Sequence, residues 1–373
     1  MSTIDKYRGC LIGGAAGDAL GYAVEFSRED QIAARYGAGG IRDYQLDDRG
    51  LAPFSDDTQM TLYTANGLLH AVTRGRLRGV LGPLRDYVSG FYVEWSRTQT
   101  EPYPLADHSA WISALPELFV PRAPGATCLS ACAVGAHGTP EEPINDSKGC
   151  GGIMRVAPAG LLVGPRGADG AAVQRLGAQL AALTHGHELG WLPAGVFAHI
   201  VSALAHGEAD SVRGAAEQAL AILPEAHPGA RRVGELQELM RLVLRLADST
   251  TPDVEAIHQL GEGWVAEEAL AIALLCALRH EDDFEGTVVS AVNHSGDSDS
   301  TGAIAGNIVG ARLGLAGIPR RYTERLELAD VVLALADDLF TGCPITEYCP
   351  SPDGVWEHKY LPPMDYVEWK RGR

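Results

Sequence analysis

The sequence has no Cys-x-x-Cys pair, although seven cysteines lie between Cys10 and Cys349. An odd number of thiols, without a second pair or a matching histidine set, argues for free buried thiols in a reducing compartment. It argues against a zinc site or a disulfide framework. Cys128 and Cys132 are four residues apart, which on a helix is one face. Basic residues are also few: 30 Lys and Arg stand against 48 Asp and Glu, a formal charge of −18. That deficit speaks against non-specific binding to a nucleic-acid backbone or an anionic membrane. There is no Ser/Gly run, charge block or low-complexity tract to serve as a linker. Length alone allows two or three domains, but the missing linkers favour one domain over 1–373. The start, "MSTIDKYRGC", lacks the basic and apolar regions of a signal peptide. Apolar runs such as "EEALAIALLCALRH" are too short to span a bilayer and end in charges. The expectation is a soluble, cytoplasmic monomer with no membrane partner.

Strand patterns are equally scarce. "AGLLVGP" is the one short candidate, and its Gly and Pro mark a helix end just as well. Helical periodicity dominates instead: "VQRLGAQLAALTHG", "VGELQELMRLVLRLAD" and "ELADVVLALADDLF" carry apolar residues at three- and four-residue spacing among strong helix formers. The reading is an all-α protein of a dozen or more helices. Residues 98–148 are rich in Pro and Gly, which stop long helices, so short helices and loops over the bundle are expected there. The segment 343–373 reads as a second irregular piece, with Trp356, Tyr360 and Trp369 as docking anchors.

Two helical stretches carry glycine every four residues: Gly9, Gly13, Gly17 and Gly21 near the start, and Gly302, Gly306, Gly310 and Gly314 near the end. Each is about 1 kcal/mol worse than Ala in a helix interior. Residues at i and i+4 share a face, so each stretch has a stripe bare of side chains. The spacing predicts close backbone approach to another helix, deep in the molecule.

The chemistry gathers in three acidic places: "GDALGYAVEF" with Asp18 and Glu25, "FSDDTQMTL" with Ser55, Asp56 and Asp57, and "GDSDSTG" with Asp297, Asp299 and Ser300. Each of the latter two also reads as a helix start. Asp56 has the capping-box spacing to Gln59, and Asp299 or Ser300 can serve as an N-cap. A cap uses one carboxylate, however, and each cluster holds two, with no Lys or Arg inside either motif. Brought together, four carboxylates repel one another. Hard divalent cations would resolve that, and oxygen-only ligands suit Mg²⁺, Mn²⁺ or Ca²⁺ rather than Zn²⁺. The stretch "NDSKGCGGIMRVAPAG" adds glycines that let backbone approach a ligand and offer N–H groups to a phosphate. "LTHGHELG" adds His185 and His187, which form no complete metal set.

Taken in order, "GDALG…E", "SDDTQMTL", "SKGCGGIMRVAPAGL", "THGH" and "GDSDSTGAIAGN" resemble the ADP-ribosylglycohydrolases. The resemblance runs from about Tyr7 to Leu315. It implies a compact orthogonal multi-helix bundle with two Mg²⁺ (or Mn²⁺) ions. Ser55, Asp56 and Asp57 match one ligand set; Asp297, Asp299 and Ser300 match the other, with Ser300 where many members have Thr. Glu25 matches a mobile acid that gates the centre, and Asp18 a supporting carboxylate behind it. Ser147, Lys148, Gly149, Cys150, Gly151, Gly152, Ile153 and Met154 match the loop around a diphosphate and distal ribose, and His185 a ligand-side histidine. Lys148 stands where some members place an aromatic, so a charge contact replaces stacking there. The implied activity is release of ADP-ribose from an ADP-ribosylated protein, with Asp56 or Asp299 steering the attacking water. The "GDSDSTG" form points to the arginine linkage. Two alternatives stay open: another linkage (serine, nucleobase or small molecule), and an immunity or binding protein with little turnover.

Overall fold

The structure is a computed structural model and describes residues 3–162, 169–345 and 354–361. Seventeen α-helices are found among them: α1 (Thr3–Tyr22), α2 (Glu29–Tyr36), α3 (Asp56–Arg78), α4 (Leu84–Thr98), α5 (Ala126–Ala133), α6 (Ala157–Leu162), α7 (Gly170–Ala182), α8 (Glu188–His206), α9 (Val212–Ala226), α10 (Val233–Ala247), α11 (Asp253–Ile257), α12 (Ala266–Arg279), α13 (Phe284–Val292), α14 (Ser298–Leu313), α15 (Arg320–Glu324), α16 (Ala329–Thr341) and α17 (Gly354–Tyr360). There is no strand among the described residues; backbone bridges are isolated pairs, such as Gly149 with Val265. The all-α expectation holds, and the ambiguous "AGLLVGP" is helical through Leu162.

The two glycine stripes face each other. Helices α1 and α14 run antiparallel with their backbones in contact. A Cβ placed on Gly13 would lie 2.3 Å from the Gly306 carbonyl oxygen, one on Gly17 2.0 Å from that of Gly302, and one on Gly21 2.2 Å from that of Ser298. Asn307 donates across the pair to the Cys10 carbonyl at 2.7 Å, in the space beside Gly14. The stripes thus explain each other, which neither alone reveals. Antiparallel pairing also brings the C-terminal end of α1 beside the N-terminal end of α14, so Asp18 and Glu25 meet the "GDSDS" cluster.

Helix α8 passes through the core. It is 19 residues long and, by length and composition alone, apolar enough to cross a bilayer, but 94% of that stretch is buried inside the fold. The reading that every apolar run is too short is corrected for this helix. Between α4 and α6 the chain makes three 3-10 turns (Trp111–Ala114, Pro116–Phe119 and Cys150–Gly152), the short α5, and loops. Buried Glu94 pins this segment, accepting from the Ser109 and Ala110 amides and the Ser113 hydroxyl. At the far end, part of the expected irregular segment is helix α17. It docks through Trp356, whose indole donates to Thr73 at 3.0 Å, and Tyr360, whose hydroxyl donates to Asp338 at 2.6 Å. Trp369 lies outside the described residues.

Candidate functional site

Three helix ends and one loop converge on a cleft of about 200 Å³. The first end is the N-terminus of α3. Asp18, buried in α1, accepts from the Ser55 amide at 2.8 Å and the Thr58 amide at 2.9 Å, and also from the Thr58 hydroxyl. One carboxylate thereby satisfies amides that the first helical turn leaves without partners. Ser55 is the N-cap, its hydroxyl accepting from the Asp57 amide at 3.2 Å. Asp56 is therefore not a cap, contrary to its spacing; Gln59 instead donates to the Val120 carbonyl and accepts from Trp95. Relieved of capping, Asp56 and Asp57 face the cleft.

The second end is the N-terminus of α14. Its N-cap is Asp297, accepting from the Ser300 amide at 3.2 Å, and not Asp299 or Ser300. Asp297, Asp299 and Ser300 all line the cleft. Glu25, on the turn after α1, lines it from the third side. Asp18, Asp56, Asp57, Asp297 and Asp299 are each at most 4% exposed and Glu25 is 7% exposed.

Such crowding has an electrostatic signature. Burial, followed by repulsion from Asp299, raises the Asp18 carboxyl to about 7 and the Glu25 carboxyl to about 10. The same two causes push Asp56, Asp57 and Asp297 well above the ordinary carboxylate range. No Lys or Arg is among the residues lining the cleft. The nearby Arg122 is spent on Glu327 and the Phe54 carbonyl. Glu25 Oε2 and Asp57 Oδ2 are buried without a hydrogen-bond partner. Among the described residues no three of His, Cys, Asp and Glu stand close enough together to hold a metal ion as placed. In chemical type the donor set nonetheless fits hard divalent cations: all oxygen, rich in carboxyl groups, with orphaned carboxyl oxygens and no competing cation.

The loop Gly149–Met154 closes the cleft opposite the acids. It is tied to the start of α12 and, through the same segment, to α14. The Cys150 amide donates to the Trp264 carbonyl at 3.2 Å, the Ala266 amide to the Lys148 carbonyl at 2.9 Å, and the Asp297 amide to the Glu262 carbonyl at 2.9 Å. Gly149, Cys150, Gly151 and Met154 line the cleft with His185; Ser55, Ser147, Lys148, Gly152 and Ile153 do not. Ser147 faces the Thr127 hydroxyl at 3.2 Å, and the Lys148 ammonium pairs with Glu267. Cys150 donates its thiol proton to Asp297 at 2.6 Å. His187 is structural: its Nδ1 accepts from the Leu189 amide and caps α8.

Trp264, absent from the sequence reading, also lines the cleft. It is 40% exposed and stacks on Phe26, 75% exposed, with ring centroids 6.2 Å apart and planes 18° apart. A signal was present in "LGEGWV". Gly261 and Gly263 both have positive φ, at 125° and 83°, which turns Trp264 out toward the rim. Thr127 and Gly125, from the Pro/Gly-rich segment, were likewise unmarked and line the opposite wall.

Comparison with known proteins points to one family. A family model described as ADP-ribosylglycohydrolase matches residues 1–347. The chain is 26% identical to the ADP-ribosylhydrolase ARH3 of Danio rerio, covering 90% of this chain and 89% of that one. It is 25% identical to the ADP-ribosyl-[dinitrogen reductase] glycohydrolase of Rhodospirillum rubrum, covering 90% and 98%. A shorter match of 72 residues, 19% of each chain, is 32% identical to the ADP-ribosylarginine hydrolase Tri1 of Pseudomonas putida. A solved structure titled ADP-ribosylglycohydrolase-related protein complex superposes with a TM-score of 0.59 at 26% identity, over 91% of this chain and 99% of that one.

Proposed function

The chain belongs to the ADP-ribosylglycohydrolase family, and we propose that it hydrolyses the N-glycosidic bond between ADP-ribose and a protein arginine. The observation that carries this reading is the convergence of six buried carboxylates, without a cation, opposite a glycine loop and His185. Two Mg²⁺ or Mn²⁺ ions would be held by Asp56, Asp57, Asp297, Asp299 and the Ser300 hydroxyl, with Ser55, buried outside the cleft lining, holding the Asp57 backbone in place. When bound, they supply Lewis acidity toward the ribose hydroxyls and an attacking water. The chain's own residues do the rest. Asp56 and Asp299 orient the water toward the anomeric carbon, where oxocarbenium character develops as the bond to nitrogen breaks. Glu25, with its unpartnered Oε2, faces the leaving group. The Gly149–Met154 loop presents its backbone to the diphosphate.

The arginine linkage is favoured by three features: the "GDSDSTG" form, the acidic cleft, and the aromatic faces of Phe26 and Trp264 at its rim. A guanidinium is planar and positively charged, and both carboxylates and ring faces attract it. The local match to an ADP-ribosylarginine hydrolase points the same way. A release assay on arginine- and serine-linked ADP-ribose, each with and without chelator, tests the reading. Metal-dependent release from arginine is expected. Rapid release from serine with the arginine linkage left intact overturns the assignment.

A further inference from the structure

Arg155 is wholly buried, and no carboxylate among the described residues pairs with it. Withdrawing a charge from water is expensive unless hydrogen bonds replace the lost solvation. Its guanidinium lies 4.1 Å over the Tyr92 ring and donates to the Thr184 hydroxyl at 2.6 Å, and at 3.4 Å to the Leu180 carbonyl. Thr184 in turn sits 2.8 Å from Nδ1 of His185, the histidine that lines the acidic cleft.

Proton counting along this chain favours one arrangement. A guanidinium has only donors and keeps its proton. The Thr184 oxygen must therefore accept from Arg155. Its single proton can go to His185 Nδ1 at 2.8 Å, to the Cys128 sulfur, or to the Ala181 carbonyl at 3.5 Å; sulfur is a weak acceptor, and the last distance is beyond an ordinary O–H···O bond. Nδ1 is thus an acceptor. Burial and the neighbouring Arg155 charge lower the imidazole to about 3, so the ring is neutral. The remaining proton sits on Nε2. That nitrogen faces the glycine loop: a Cβ on Gly149 would lie 3.3 Å from it, and one on Gly151 3.5 Å.

We propose that Arg155 and Thr184 are positioning residues that hold His185 in the Nε2–H tautomer, so that the cleft offers a fixed hydrogen-bond donor to an oxygen of the bound ligand. The ligand's identity as ADP-ribose rests on the function proposed above; the tautomer does not. In a cleft otherwise rich in acceptors, a neutral donor of fixed direction receives an anionic oxygen without drawing in a further charge. The arrangement also gives Gly149, Gly151 and Gly152 a steric reason, because the imidazole packs flush against their backbone.

Selective ¹⁵N-histidine labelling tests this on the intact protein, with the His185 signals identified by their loss in His185→Gln. Long-range ¹H–¹⁵N spectra should show one tautomer, protonated at Nε2, unchanged between about pH 5 and pH 8. Thr184→Val should populate the Nδ1–H form and weaken binding of ADP-ribose about tenfold, while Thr184→Ser restores both. Protonation at Nδ1 in the wild-type protein, or a mixture of tautomers, overturns the proposal. So does an unchanged tautomer in Thr184→Val. Should that variant not fold, the wild-type spectrum alone decides. A wild-type protein with the expected tautomer that fails to bind ADP-ribose would overturn the functional reading and leave the positioning chain standing.

Discussion

Glycine serves two regions of this molecule, and in neither is it chosen chiefly for unusual backbone angles. Along α1 and α14 it removes side chains so that two helices touch backbone to backbone. In the Gly149–Gly152 loop it removes side chains so that an imidazole and a thiol can lie against the chain: a Cβ on Gly151 would come within 2.8 Å of Cys128 Sγ and 3.2 Å of His185 Cε1. The obstacle differs. In the helix pair it is a carbonyl oxygen held by regular hydrogen bonds, which cannot yield. In the loop it is the end of a side chain, which can. The first set of glycines holds the frame that aligns the acids; the second shapes what faces them.

Breaking the frame should have the largest effect. Gly17→Val places a branched side chain where even a Cβ lies 2.0 Å from a backbone oxygen. A destabilisation of at least about 3 kcal/mol is expected, seen as a marked fall in melting temperature by circular dichroism and loss of soluble protein. Gly151→Val should instead leave the helical spectrum intact and selectively weaken ADP-ribose binding by calorimetry. Equal losses of fold in both variants would erase the distinction between the two regions.

The acids at the end of the frame sharpen the contrast next. Asp297→Asn and Asp57→Asn should each lower turnover at least about a hundredfold, by analogy with the sensitivity of metal sites to their supporting groups. Because each removes one of several repelling carboxylates, the metal-free variants should melt no lower than the metal-free wild type. Asn caps a helix nearly as well as Asp, so near-normal rates would return Asp297 to a capping function alone. Chelation should abolish turnover. Mg²⁺ or Mn²⁺ at a hundred times its dissociation constant should add about 2.7 kcal/mol of stability, read as a rise in melting temperature. Full activity after exhaustive chelation removes the metal from the account.

A further effect is expected on acid stability. Burial lowers His185 to about 3 and His227 to about 4, against about 6.5 in the unfolded chain. Since the unfolded state takes up these protons first, the stability they contribute is present above about pH 6.5. It is lost as pH falls toward those folded values. The raised carboxyls of the cleft act in the opposite sense, so the reading is a difference: as pH falls from about 6.5 toward about 4, the wild type should lose melting temperature relative to His227→Gln, which lacks the buried imidazole.

The sequence by itself determined the helical class, because three- and four-residue apolar periodicity is a local property of the chain. It also marked the two acidic clusters, since a cap needs one carboxylate and each motif carries two. It showed the glycine stripes for the same reason: their spacing is that of one helix face. Only the tertiary structure decided that the stripes pair with each other, that Ser55 and Asp297 take the caps, and that Asp56 and Asp57 are thereby released to the cleft. Those outcomes depend on which groups meet across 37 residues, in the bond from the Ser55 amide to Asp18, or across 297, in the bond from Asn307 to the Cys10 carbonyl. Trp264 and the Arg155–Thr184–His185 chain went unread for the same reason. The glycines before Trp264 mark a turn but not what the indole meets, and an arginine in an apolar run has no distinctive local pattern; the chemistry of both comes from neighbours that only folding brings into contact.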